Sequence, residues 1–325
     1  IYRVAMTDYK ADFNVQPLVV NDELVLEAIE ELGYRFIAET GSELAIATLH
    51  WPYHTLQLEF SDDQFRMLYA EVSFTGSSSL SRINEISHAV DAWNSERVSP
   101  AAYLSIADDA RINVFFRTGL AIARRASLDQ IKAFIRVAAE STVVACETFV
   151  EQFPELGQRS GQASNSFGDL DFSLTDDSQL PTELSIPRVR SVLRDLGIEK
   201  THGDDAMVLA WINDILVGFF LESGPSLLVK GHWDPGLDPD REYMKAALVC
   251  NKWNEDNPTT KAFCVTDEDG LQVRVEFVAD SGAGLNTSQL ILNVQMAIHF
   301  ILSAIDRIST EIQGHCAVAW PEDTN

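Results

Sequence analysis

The chain has 325 residues, 46% of them hydrophobic, and its 24 Lys and Arg against 49 Asp and Glu give a net charge of −25. At roughly 100–200 residues per domain this length predicts about two domains, with ample apolar material for packed cores. The charge argues against a nucleic-acid binder, which needs a basic face for phosphates, and against adsorption to anionic lipid.

Leu24, Val25, Ala28, Ile29 and Leu32 share one face of a predicted first helix, and Gly33 fits its stop. Strand-like runs follow near 44–49, 56–60 and 68–74, with period-two alternation in the last two. A middle helix carries Leu80, Ile83, Val90 and Trp93 on one side. A predicted hairpin joins 102–106 to 112–116 around Asp108-Asp109, and a long helix steps through Leu128, Ile131, Ile135, Ala138, Thr142, Ala145 and Phe149. Residues 157–184 then turn polar and acidic without periodicity, a linker composition.

The same order recurs beyond the linker. Val189, Val192, Leu193 and Leu196 make a short helix with Pro187 in its first turn and Gly197 at its end. Three strands follow near 206–211, 215–221 and 227–233, then a middle helix with Tyr243, Ala246, Cys250 and Trp253. A hairpin (262–266 and 271–277) turns at Asp269-Gly270, and Leu290 to Ile312 form the last long helix. Ser127-x-x-Gln130 and Asn286-x-x-Gln289 read as N-terminal capping boxes of the two long helices. Trp51 pairs with Trp211 and Trp93 with Trp253 at an offset of 160, Leu49 with Leu209 at the same offset, and Ile112, Val114 and Phe116 with Val273, Val275 and Phe277 at 161. The expectation is a tandem duplication: a first lobe at 1–156, a linker at 157–184 and a second lobe at 185–325. Each lobe is an α-β-β-β-α-β-β-α unit of α+β class, an antiparallel sheet with helices on one face.

The search for chemistry yields little. There is no phosphate-binding loop, no nucleophile elbow and no H-E-x-x-H. His50 and His54 flank Pro52, which disfavours a regular helix and a paired metal site. The acidic groups Asp204-Asp205, Asp234/Asp238/Asp240 and Asp267-Glu268-Asp269 read as turn residues rather than cation ligands, because none fits a calcium loop. Gly282-Ala283-Gly284 reads as a loop entering the last helix. Cys146, Cys250 and Cys264 fall in apolar elements, and Cys316 is the expected exposed thiol. No C-x-x-C pair and no long apolar run occurs, so a cytoplasmic setting with reduced thiols is expected, with no cofactor, no metal and no membrane span. The Trp-Asn pairs are the sharpest repeated feature. Each Trp lies on an apolar helical stripe, and each Asn suits a left-handed helix C-terminus, so Trp93, Asn94, Trp253 and Asn254 read as structural, with recognition as the other reading.

Asn251-Lys252-Trp253-Asn254, Lys261-Ala262-Phe263, Asp267-Glu268-Asp269-Gly270-Leu271 and the Ser281-Gly282 entry toward Leu290 resemble the YbjN-like family of bacterial sensory transduction regulators. The resemblance covers most of 186–312. The first lobe keeps Trp93-Asn94, Ala102-Tyr103 and Asp108-Asp109 but has Ala110 in place of the Asp-Gly turn, so it is a diverged copy. The resemblance implies a fold like that of type III secretion chaperones and supplies no catalytic residues. It marks Asp269 and Gly270 with the two Trp-Asn pairs as motif residues. It implies a non-enzymatic protein-binding or regulatory module whose lobes form a pseudo-dimer within the chain, the chain itself being a monomer or homodimer with an unidentified protein partner. The alternatives are a secretion-type chaperone for one client, or a small-ligand protein or enzyme with a pocket between the lobes.

Overall fold

In the computed structural model, the described residues are 18–38, 45–61, 65–158, 180–223, 225–267 and 270–320. The first unit runs α1 (Asp22–Glu31), β1 (Phe36–Ala38), β2 (Ala45–His50), β3 (His54–Phe60), β4 (Met67–Phe74), β5 (Ser78–Ser79), α2 (Ile83–Glu96), β6 (Ala101–Ile106), β7 (Arg111–Ala121) and α3 (Leu128–Gln152). The second runs α4 (Ile186–Asp195), β8 (Met207–Ile212), β9 (Ile215–Glu222), β10 (Ser226–Leu237), α5 (Pro239–Asp256), β11 (Thr260–Asp267), β12 (Gly270–Asp280) and α6 (Thr287–Gln313). The second unit has the expected order of elements, and the first adds the short strands β1 and β5. Most of the expected linker, like Asp269, lies outside the described residues.

Both sheets are antiparallel. The first follows the order β1-β2-β3-β4-β7-β5 with β6 also on β7, and the second follows β11-β12-β10-β9-β8. Each buries one face under its helices. Leu56, Leu58, Val72 and Phe116 meet Ile29, Trp93, Ile131 and Phe149 in one core. Val217, Phe219, Val273 and Val275 meet Leu193, Trp253, Ile301 and Ile305 in the other. Alternation along the strands sends the other residues to the outer face, which is the face that distinguishes the two units. Both predicted capping boxes form, from Ser127 with Gln130 and from Asn286 with Gln289. At Gly231 a Cβ would run into Ile301, so glycine is what lets α6 lie close on β10.

Three expectations are corrected. Leu80 falls in a 3₁₀ turn (Leu80–Arg82) before α2 and is 39% exposed, so the apolar stripe of that helix begins later. The pairing of Trp51 with Trp211 is not structural. Trp51 sits in the β2–β3 turn, where its N–H bonds His54, whereas Trp211 lies within β8. Leu49 is core and Leu209 faces outward, so the β2–β3 hairpin matches β8–β9 one residue further on, with His50 at the position of Trp211. In the last strands the match is slipped by two: Leu104 faces Val114 and Cys264 faces Val273. An even slip keeps every side chain on its own face, which is why the alternation survived the misalignment.

Although no run stood out in the sequence, α6 is long and apolar enough by composition to cross a membrane. In the fold, 61% of its most apolar window is buried, as expected of a core helix.

Candidate functional site: the seam between the two units

The polar side chains that do the most in this molecule lie where the two units meet. The edge strands β6 and β11 leave a row of backbone groups unpaired by their sheets, a row that elsewhere would invite aggregation. Asn94, inside α2, closes part of it: its Nδ2 donates to the Ala102 carbonyl at 2.8 Å, and its Oδ1 accepts from the Ala102 N–H at 2.7 Å. Asn254, inside α5, does the same to Ala262 at 2.8 and 2.6 Å. The preceding Trp side chains lock each helix down, Trp93 donating to the Pro100 carbonyl at 2.8 Å and Trp253 to the Thr260 hydroxyl at 3.0 Å. The asparagines therefore are not left-handed caps. Both are buried within helices and act as two-pronged clamps on a strand.

Three residues earlier on each helix, a second group reaches the other unit. Asn251 of α5 grips Leu104 of β6, accepting from its N–H at 2.8 Å and donating to its carbonyl at 2.9 Å. Asp91 of α2 takes the equivalent place over β11, accepting from the Cys264 N–H at 2.8 Å and from the Tyr243 hydroxyl at 2.8 Å. One pattern, Asp/Asn-x-Trp-Asn, thus holds its own edge strand with its last residue and the other unit's edge strand with its first. The contacts are reciprocal, as in an isologous interface. The two clamps differ in one respect: a carboxylate cannot donate. Burial pushes Asp91 from 3.8 up to about 6, with the Cys264 N–H and the Tyr243 hydroxyl pulling the other way.

Lys261 adds an unpaired feature. Its side chain is 2% exposed; Nζ donates to the Asn94 carbonyl at 2.8 Å and to the Arg97 carbonyl, at the negative end of α2 in the other unit. It also pairs at 3.1 Å with Glu276, which meets Lys230 at 3.0 Å from the neighbouring strand. Burial lowers the Lys261 pKa below its ordinary value, and Glu276 opposes that. The first unit has Ala101 at this place. Where the second unit sets Lys230 against Glu276, the first sets Glu71 against Arg117, whose Nε donates at 2.6 Å, so the polarity of the pair is reversed.

A third junction joins the N-termini of the long helices. Gln130 Nε2 donates to the Gly284 carbonyl at 2.7 Å and Gln289 Nε2 to the Arg125 carbonyl at 2.8 Å. The two amides also meet each other at 3.2 and 3.3 Å. Met67, Tyr69 and Ala121 of the first unit join the second unit's core, and the Tyr69 hydroxyl lies 3.2 Å from that of Thr259. Two crevices open on the seam, one beside Gln130 and Gln289 and one beside Asp91 and Asn251, each with a volume of about 10 Å³. That is room for about one water molecule.

The other candidates are turn and core residues. Asp204, Asp234 and Asp238 accept backbone N–H groups of their own turns. His50 is exposed, while His54 is 3% exposed, stacked on Trp51 at 5.0 Å, with both ring nitrogens unpartnered. Burial lowers His54 from 6.5 to about 4. Among the described residues no three His, Cys, Asp or Glu come together as metal ligands. Cys146, Cys250 and Cys264 are buried and Cys316 is exposed. Gly270 opens β12 with φ +120°, a conformation that favours glycine. Sequence reading missed Asp91, Asn251, Lys261 and the cross-unit role of Gln130 and Gln289. The signal available was the repetition of Asp/Asn at the third place before each motif Asn.

Fold and seam together define a two-unit α+β protein whose buried polar groups join its halves. A family model, "YbjN: Putative bacterial sensory transduction regulator", matches residues 21–155 and again 185–310. The chain belongs to the YbjN family, as a tandem duplication of its unit. It is similar to the solved structure "Crystal structure of YbjN, a putative transcription regulator from E. coli", at 16% identity over 42% of this chain and 96% of that one, with a TM-score of 0.34. No curated protein matches the chain.

Proposed function

We propose that the chain is a non-enzymatic, protein-binding regulatory module of bacterial origin whose two units pair as an intrachain pseudo-dimer. The observation that carries this is the reciprocal grip of Asp91 on Cys264 and Asn251 on Leu104. A linkage made twice by equivalent groups is how two copies of one unit recognise each other. The water-sized crevices favour this over a small-ligand pocket, since drug-sized ligands occupy clefts of about 300–1,000 Å³. Buried, unpaired Cys146, Cys250 and Cys264 suit a reducing cytoplasm. The regulatory reading is tested by affinity capture from the native host at low and high salt. A reproducible protein partner with salt-sensitive association is expected, and its absence at both salts contradicts the reading.

A further inference from the structure

The repeat supplies an internal control for the outer faces of the sheets. Aligned by their hairpins, β2–β3 and β8–β9 present equivalent residues to solvent on the side away from the helices. In the first unit these are Thr48, His50, Thr55 and Glu59, a polar set normal for a solvated face. In the second they are Leu209, Trp211, Leu216 and Phe220. Trp211 is 67% exposed and the other three are half-buried. Gly218 at the centre leaves its space to Leu209 and the Phe220 ring, which a Cβ there would meet. Same strands, same exposure and opposite chemistry mean that the fold does not require this apolar surface.

The registers continue the patch into a cationic margin. Trp211 pairs with Leu216, Leu216 with His232 and His232 with Arg274. One row over, Leu209 pairs with Gly218, and Gly218 with Lys230. The carboxylate on these rows is Glu276, already held by Lys261 and Lys230. Arg274 Nε is buried with no hydrogen-bond partner. A net-positive apolar face therefore sits on a chain of net charge −25. The edge of β8 is less open than its face, because His202 brackets Leu209 through both backbone groups and the Ala319 N–H takes the Asn213 carbonyl. Face docking is favoured over strand addition. A second copy bound face to face would set the same cations against each other.

We propose that the outer face of β8–β9–β10 docks a partner segment that is apolar on one side and flanked by carboxylates. This deepens the binding-module reading and rests on it. The test is a titration of the full chain with a labelled amphipathic peptide carrying Leu and Phe on one side and Glu on the margins, and with its Lys-for-Glu twin. The Glu peptide is expected to bind at least about tenfold tighter than the twin, with an affinity that falls with salt. The triple variant W211H/L216T/F220E, which takes the first unit's residues, is expected to weaken it by at least about tenfold. W211H alone gives a second reading in the same direction if the triple variant does not fold, and T48A/T55A in the first unit leaves binding unchanged. Equal binding of the twin, undiminished binding by both patch variants, or a concentration-dependent dimer abolished by W211H overturns the proposal. Failure of the surface leaves the module reading standing if partners are still captured from the host; capture of none is what sinks that reading.

Discussion

Replacing Asp91 with Asn tests how the seam handles charge. Asp91 is 7% exposed and takes the place that Asn251 holds on the other side. Its folded pKa, about 6, lies above the ordinary 3.8. A carboxyl whose folded pKa is raised binds its proton more tightly in the folded state. The stability it contributes is full below pH 3.8 and is lost as pH rises through about 6. A difference of about two units amounts to ~3 kcal/mol forgone at neutral pH. Asparagine removes the charge, keeps an acceptor for the Cys264 N–H, and offers its amide to the Tyr243 hydroxyl. D91N is therefore expected to stabilise the chain at pH 7.5 by about 1–3 kcal/mol, or up to ~4 °C in Tm, with the gain vanishing near pH 4. Scanning calorimetry of both proteins across pH reads it directly. A D91N protein less stable than wild type at pH 7.5 would refute the reasoning, because the ionised carboxylate would then be holding the seam rather than straining it.

Other consequences follow from the same geometry. His54, lowered to about 4 from 6.5, contributes stability that is present above pH 6.5 and lost as pH falls through about 4, opposite in slope to Asp91 over much of the same window. H54F is expected to flatten the acid side of the Tm–pH curve while D91N steepens it; parallel curves contradict both assignments. K261M leaves the carbonyls of Asn94 and Arg97 and the buried Glu276 short of a cation, and is expected to cost about 3–5 kcal/mol in urea unfolding. K261M/E276L is expected to recover much of that, and additivity of the two changes would argue against coupling. N254A strips two buried backbone groups of Ala262 and is expected to cost about 2–4 kcal/mol, with faster amide exchange along β11 as the local signature.

The elements were legible because each carries its own period. The steps of 3 and 4 along α3 and α6, and the alternation in β3 and β4, are local properties of the chain. Capping boxes are local as well, and both were readable. The roles of the same residues across the seam were not. Nothing near Gln130 in the sequence points to Gln289, and Asn94 looks like a cap until the edge strand it clamps is known. Tryptophan was an unreliable marker of alignment. Trp93 and Trp253 share a burial site and are equivalent, whereas Trp51 and Trp211 share an offset and nothing else. The outer face of β8–β9 escaped notice for a related reason. Leu209 and Leu216 belong to runs read as core, and only strand register sorts the inward residues from the outward ones.

The central claim is that the two units hold each other without help from the segment between them. Cleaving the full chain at a protease site introduced within residues 159–179, then measuring sedimentation velocity, tests it most directly. The account predicts a single species at the mass of the intact chain, persisting at micromolar concentration. Two species of about half that mass would contradict it.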